Sequence, residues 1–143
     1  MANKETRGNI MGTWGPGNFE NDGACDYRDQ LLYQLIDKIE ECFQSEDGYA
    51  LDEGGESELM PSIEILALLC EYCNAHPPKE ETVTSWKERY LTLYDEDIES
   101  LAPDPRYRAA RRKVIEVTFQ RLELQARLFW FYTERNKGST RQS

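Results

Sequence analysis

The sequence predicts an all-α fold: a single-domain, irregular four-helix bundle with an aromatic, glycine-bearing amino-terminal loop packed on it. Three observations predict it. Apolar residues recur at three- and four-residue steps in four separate stretches. The alternation of a half-buried strand never runs for five residues. A chain of 143 residues, 39% hydrophobic and 31% charged, can build one ordinary core under a wet surface, whereas two would be cramped.

The first helix is expected over residues 22–44, where Ala24, Tyr27, Leu31, Leu35, Ile39 and Cys42 form a stripe flanked by Leu32, Ile36 and Phe43. Residues 45–60 mix Glu46, Asp47, Asp52, Glu53, Glu56 and Glu58 with Gly48, Gly54 and Gly55, without period or apolar face, and read as a mobile acidic loop. The second helix starts near Pro61. Ile63, Leu66, Leu69, Cys70 and Cys73 form one apolar side and Ile65, Leu68 and Tyr72 another, so it is expected to be buried on both. Pro77 and Pro78 end it. A third helix carries Val83, Trp86, Tyr90, Leu93, Ile98 and Leu101 on a narrower, hence more peripheral, stripe and stops before Pro103. Asp104 and Pro105 then open a long fourth helix reaching about residue 135, because the carboxylate caps free amides and the ring suits the first turn. Its carboxyl-terminal half is apolar on most sides, which predicts a surrounded keystone anchored by Trp130. Residues 1–10 are expected as a flexible extension, 11–136 as the domain and 137–143 as a frayed tail.

Charge bounds the partners. The net charge is −10 overall, but residues 1–105 hold net −17 and residues 106–143 net +7. The basic run Arg106, Arg108, Arg111, Arg112 and Lys113 offers arginine forks to phosphate, yet a chain with this overall field repels polyanions, and Tyr107 alone supplies an aromatic for stacking. Pairing within the fold is the reading preferred, and no nucleic-acid partner is expected. No stretch approaches the ~18 apolar residues of a membrane span and the first dozen residues lack a signal-like apolar run, so no membrane partner and a cytoplasmic location are expected. The four cysteines then read as reduced thiols, mostly buried.

Candidate chemistry is sparse. His76 is the single histidine, so no mechanism with two imidazoles is available. Cys70, Cys73 and His76, with Cys42 from the first helix, have the makings of a zinc site, but i, i+3 and i+6 on a continuous helix drift around the cylinder and do not converge unless the helix ends at Asn74. A redox pair at Cys70 and Cys73 lacks the helix amino terminus that stabilises a thiolate. Asp22, Asp26 and Asp29 line one side of the first helix near its positive end, where acid–base work or magnesium binding competes with plain capping and solvation. The acidic loop lacks the spacing of a calcium loop. No metal site, cofactor or catalytic residue is expected; Cys70, Cys73, His76 and Asp22, Asp26, Asp29 are the weak metal candidates.

Residues 11–22 read Met-Gly-Thr-Trp-Gly-Pro-Gly-Asn-Phe-Glu-Asn-Asp. Gly15, Pro16 and Gly17 suit a tight turn with Gly17 at positive φ, Trp14 and Phe19 offer anchors onto the bundle, and Asn21 or Asp22 caps the helix. No strand precedes these glycines and no lysine follows them, which opposes a phosphate-binding loop. This opening, with the later Trp86, Tyr90, Leu91, Tyr94, Asp95, Arg112, Ile115, Phe119 and Leu122, resembles the bacterial proteins grouped as domain of unknown function 4259. The resemblance spans most of residues 11–132 and implies a mostly helical fold, with no activity or catalytic residue to carry over.

The expected function is a non-catalytic acidic interaction module, of the kind an immunity protein or antitoxin provides, docking a basic protein. Its contact residues are expected among Trp14, Asp47, Asp52, Glu53, Glu56, Glu58, Tyr94, Asp95, Glu96 and Asp97. The alternatives are a metal-dependent hydrolase built on the aspartate row and a structural protein. A concave pocket at the aspartates would favour chemistry, and a flat acidic face a partner.

Overall fold

A computed structural model describes residues 12–101 and 103–142, with side chains through 135. The elements are α1 (Asp22–Phe43), α2 (Glu46–Tyr49), a π-helical turn (Gly55–Leu59), α3 (Met60–Tyr72), α4 (Glu80–Asp97), a 3-10 turn (Ile98–Leu101) and α5 (Pro105–Gln142). Among the described residues there is no strand, only a lone bridge between Thr13 and Asn21. The described residues form an all-α bundle of four long helices and one short one. The extension expected over 1–10 lies outside the described residues, and α5 continues to Gln142 through the stretch expected as a tail.

Helix boundaries follow local chemistry. Asn21 has extended backbone and its Oδ1 accepts the Ala24 N–H at 2.8 Å, so of the two caps named above the asparagine serves. Asp104 does the same for α5, accepting the Arg106 N–H at 2.7 Å ahead of Pro105. At the end of α3 the N–H groups of Cys73 and Ala75 converge on the Leu69 carbonyl at 3.0 and 3.1 Å. Asn74 makes this closure at φ 58°, the left-handed cap that asparagine tolerates better than other side chains.

Consecutive long helices run antiparallel, yet α5 packs directly on α3 as well as on α4, while α3 packs on α1. The α3–α5 pair is parallel: Glu56 meets Arg111, Glu64 and Glu71 meet Arg121, and His76 stacks on Phe129 at 4.5 Å. In a symmetric bundle these second and fourth helices would be diagonal, so their contact is the irregularity of the fold. The core contains Leu32, Ile39, Ile63, Leu66, Val83, Tyr90, Tyr94, Ile115, Phe119 and Leu122, all nearly sealed from solvent.

Five expectations need correction. On α1 the buried stripe is Arg28, Leu32, Ile39, Cys42 and Phe43, while Tyr27 and Leu31 are exposed. Residues 45–60 are no mobile loop: Leu51, Gly55, Leu59 and Met60 are buried, held by α2 and the π turn. Glycines there serve close packing, since a Cβ on Gly48 would sit 2.3 Å from the Cys42 carbonyl oxygen and one on Gly55 2.4 Å from that of Tyr49. Helix α3 is buried on one side only, with Ile65, Leu68 and Tyr72 exposed. Helix α4 is central rather than peripheral, because Tyr90 and Tyr94 donate their hydroxyls to Glu56 and to the Arg108 carbonyl and fill the core with their rings. The carboxyl-terminal half of α5 is not surrounded: Leu124, Leu128 and Phe131 are exposed, and Trp130, half-buried, donates its Nε1–H to the Pro77 and Pro78 carbonyls.

Candidate functional site: the paired basic helix and the acidic faces left over

The amino-terminal motif is seated from below. Gly12 at φ 92° turns the chain, the Asp22 N–H donates to the Gly12 carbonyl, and the Trp14 N–H donates to that of Glu20. Gly17 does not take the positive φ expected of it. Of the two aromatic anchors, Phe19 is the one that packs, with the Arg28 guanidinium 5.9 Å from its ring centroid, whereas Trp14 stays 60% exposed. Arg28 is itself buried. Its Nη1 donates to the Cys73 carbonyl at 3.1 Å and its Nε to Asp29 at 3.0 Å, so one side chain ties the motif, α1 and the end of α3. The sequence signal for it was a charge at the core position four before Leu32.

Five arginines of the basic helix are paired by their neighbours. Glu56 accepts two bonds from Arg111, at 2.7 and 2.6 Å, and one from the Tyr90 hydroxyl at 2.8 Å. Burial opposes ionisation of this carboxyl, but the Arg111 and Tyr90 hydrogen bonds and the arginine charge outweigh it and hold its pKa below the usual range. Arg112 grips Asp95 with both fork nitrogens at 2.8 Å and also Glu116; the hydrogen bond from Arg112 keeps Asp95 low. Arg121 ties Glu64 and Glu71 of α3, Arg127 ties Glu80 of α4, and Arg108 meets Glu99. Lys87 and Thr84 close on Glu123 from the α4 side. Among the described residues no buried side-chain nitrogen or oxygen lacks a partner.

This network sorts the ten residues expected to contact a partner. Tyr94 is 1% exposed and donates its hydroxyl to the Arg108 carbonyl at 2.9 Å, which removes it from the surface. Glu56 is tied into the interior, Asp95 to Arg112, and Glu58 to Lys38 at 2.9 Å. Trp14, Asp47, Asp52, Glu53, Glu96 and Asp97 are exposed. The sequence reading placed Asp22 and Asp26 on one side of α1 but missed that Tyr33, Asp37 and Glu40 extend them along one exposed helix face, with Tyr33 at 62%.

Neither metal candidate forms a cluster. Among the described residues no three His, Cys, Asp or Glu side chains are arranged to hold an ion. Cys70 is buried, Cys73 lies past the end of α3, and the His76 ring lies against Phe129. Asp29 is engaged by Arg28 while Asp22 and Asp26 are exposed. Burial and then the charge of Glu71 push the Cys70 thiol up to about 12, so it is neither a ready ligand nor a nucleophile. Two clefts flank α5: one of about 520 Å³ lined by Glu56, Met60, Glu64 and Arg111, and one of about 450 Å³ lined by Asn74, His76, Gln125 and Phe129. The aspartate row lines neither.

No described helix is long and apolar enough to cross a membrane. A family model described as a domain of unknown function, DUF4259, matches residues 12–125. No curated protein and no solved structure matches the chain.

Proposed function

The chain belongs to the DUF4259 family, whose description assigns no activity, and we propose from its own geometry that it is a non-catalytic, cytoplasmic interaction module that binds a basic protein. The observation that carries this reading is the one-sidedness of the pairing. Five arginines of α5 are engaged by acids of α3, α4, the flanking turns and α5 itself, so the basic segment is paired in part from within, with Arg106 and Lys113 left exposed. Exposed acids gather on α1, on α2 with the turn after it, and at the far end of α4. Such a field steers a basic partner and repels polyanions. Tyr33 within the α1 row and Trp14 beside it supply the aromatic surface that charge alone lacks. An immunity protein or antitoxin that masks a basic toxin has this design. The hydrolase alternative has no convergent group at Asp22, Asp26 and Asp29 to support it. The test is affinity capture from the native host across a salt series: a basic protein retained at low salt and released as salt rises is expected, and retention of neutral or acidic proteins only would reject the reading.

A further inference from the structure

Helix α5 is apolar on two faces, and its own fold covers only one. Ile115, Phe119, Leu122 and Ala126 point into the core. On the other side Val114 (50% exposed), Val117 (39%), Leu124 (47%), Leu128 (45%) and Phe131 (57%) follow one another at steps of three, four and seven residues, with exposed Ala110 leading them. This is the heptad spacing of a coiled-coil seam. Helix α3 widens it with exposed Ile65 and Leu68, across the ladder in which Arg121 holds Glu64 and Glu71.

We propose that this face is a self-association surface on which a second copy of the chain docks antiparallel, about a two-fold axis crossing α5. Charge selects the occupant. A chain of net −10 repels itself over its acidic faces, but each carboxylate bordering this seam has a cation beside it: Glu64 and Glu71 share Arg121, Glu116 shares Arg112 with Asp95, and Glu123 has Lys87. Two copies therefore oppose fewer unpaired carboxylates here than over the α1 face, while a basic partner gains least from this face. Side-chain size selects the direction. The seam is small in its amino-terminal half (Ala110, Val114, Val117) and large in its carboxyl-terminal half (Leu124, Leu128, Phe131). An antiparallel two-fold sets Ala110 against Leu128 and Val114 against Leu124, small on large, lays the Arg121 stem over Val117, and brings the aromatic rings of Tyr107 and Phe131 together at each end, with the helix dipoles opposed. A parallel pair would stack Ala110 on Ala110 and Phe131 on Phe131, leaving a void at one end and a clash at the other. The exposed fractions of these side chains come to on the order of 600–800 Å² per copy, close to the roughly 800 Å² per partner of a standard interface.

The experiment is sedimentation equilibrium on the full chain, from about 1 to about 100 μM, spanning the range of transient to stable dimers. The expected result is a species of twice the chain mass that persists at about 0.5 M salt, where charge-driven contacts are screened. The double variant Leu124→Glu with Leu128→Glu, both surface positions, should keep its circular dichroism melt and weaken the dimer at least about 100-fold. Direction is read by spin-label distances at Phe131→Cys against the labelled unmodified chain: an antiparallel pair gives about 36 Å from the 1.5 Å rise per residue, a parallel pair about 10 Å. A monomer at the top concentration, a dimer indifferent to the double variant, or the shorter distance overturns the proposal. Because the acidic-face reading is tested by loss with salt and this one by persistence in salt, either can fail alone.

Discussion

Glu56 concentrates several constraints on one carboxylate. Arg111 and Tyr90 both donate to it, and Tyr90 is itself fully buried. Replacing Tyr90 by Phe removes one bond to a charged acceptor while keeping the ring, and should cost about 1.5–3 kcal/mol in denaturant melts. The pH dependence has a definite sign. A carboxyl held below its unfolded value contributes stability that is complete above that value, near 4.3, and is lost as pH falls through the folded value. Glu56→Gln should therefore be less stable at neutral pH and show a shallower loss between roughly pH 5 and pH 3 than the unmodified chain. Equal slopes would show that Glu56 is not held low. The thiols divide in the same physical terms. Burial raises the pKa of both Cys42 and Cys70, so in the native protein at mildly alkaline pH alkylation followed by mass spectrometry should mark Cys25 and Cys73 well before either.

At the scale of elements, what was legible in the sequence is what short-range chemistry determines. The α1 and α5 starts were readable because Asn21, Asp104 and Pro105 act on amides within three residues, and the stripe Ile63, Leu66, Cys70 was readable because a helix repeats its faces. The folded segment between α1 and α3 was not, since its order comes from partners far along the chain: Glu56 is satisfied by Arg111, 55 residues away, and Tyr90, 34 away. Its glycines looked like mobility for the same reason, as the carbonyls they approach become visible only after folding. Gly55→Ala should accordingly destabilise the chain by more than the ~1 kcal/mol gained in a permissive helix, because its methyl would meet backbone oxygens of Tyr49 and Ala50. The α3 cap makes the opposite case. Asn74 holds a left-handed φ, so Asn74→Gly should be neutral or stabilising in thermal melts, while Asn74→Val should cost about 1–2 kcal/mol. A destabilised glycine variant would show that the asparagine side chain itself is needed.

Over the whole molecule, surface charge and surface hydrophobicity are segregated, and each face constrains what approaches it. Internal pairing of α5 was anticipated from net −17 before residue 106 and +7 after it. Which acids would remain outside was not, because that depends on which helices flank α5: acids of α3 and α4 facing it are engaged by its arginines, whereas on α1 only Asp29 and Glu41 are paired, by Arg28 and Lys38 of the same helix. Of the candidate contacts Tyr94 alone is sealed in the core, while Glu56, Glu58 and Asp95 are held in ion pairs and the exposed α1 row adds further acids. If that row steers a basic partner, Asp26→Lys with Asp37→Lys, a change of four charges at two exposed positions, should slow association about tenfold or more at low salt and leave dissociation nearly unchanged. The same pair should matter little near 1 M salt, where screening reaches about 3 Å. Tyr33→Ala is the complementary change: its lost contact should appear in the dissociation rate, with the salt dependence intact. Stopped-flow mixing with the captured partner separates the two. An association rate indifferent to charge reversal at every salt concentration would mean the acidic row of α1 merely keeps the protein dissolved, and that the partner docks on another face.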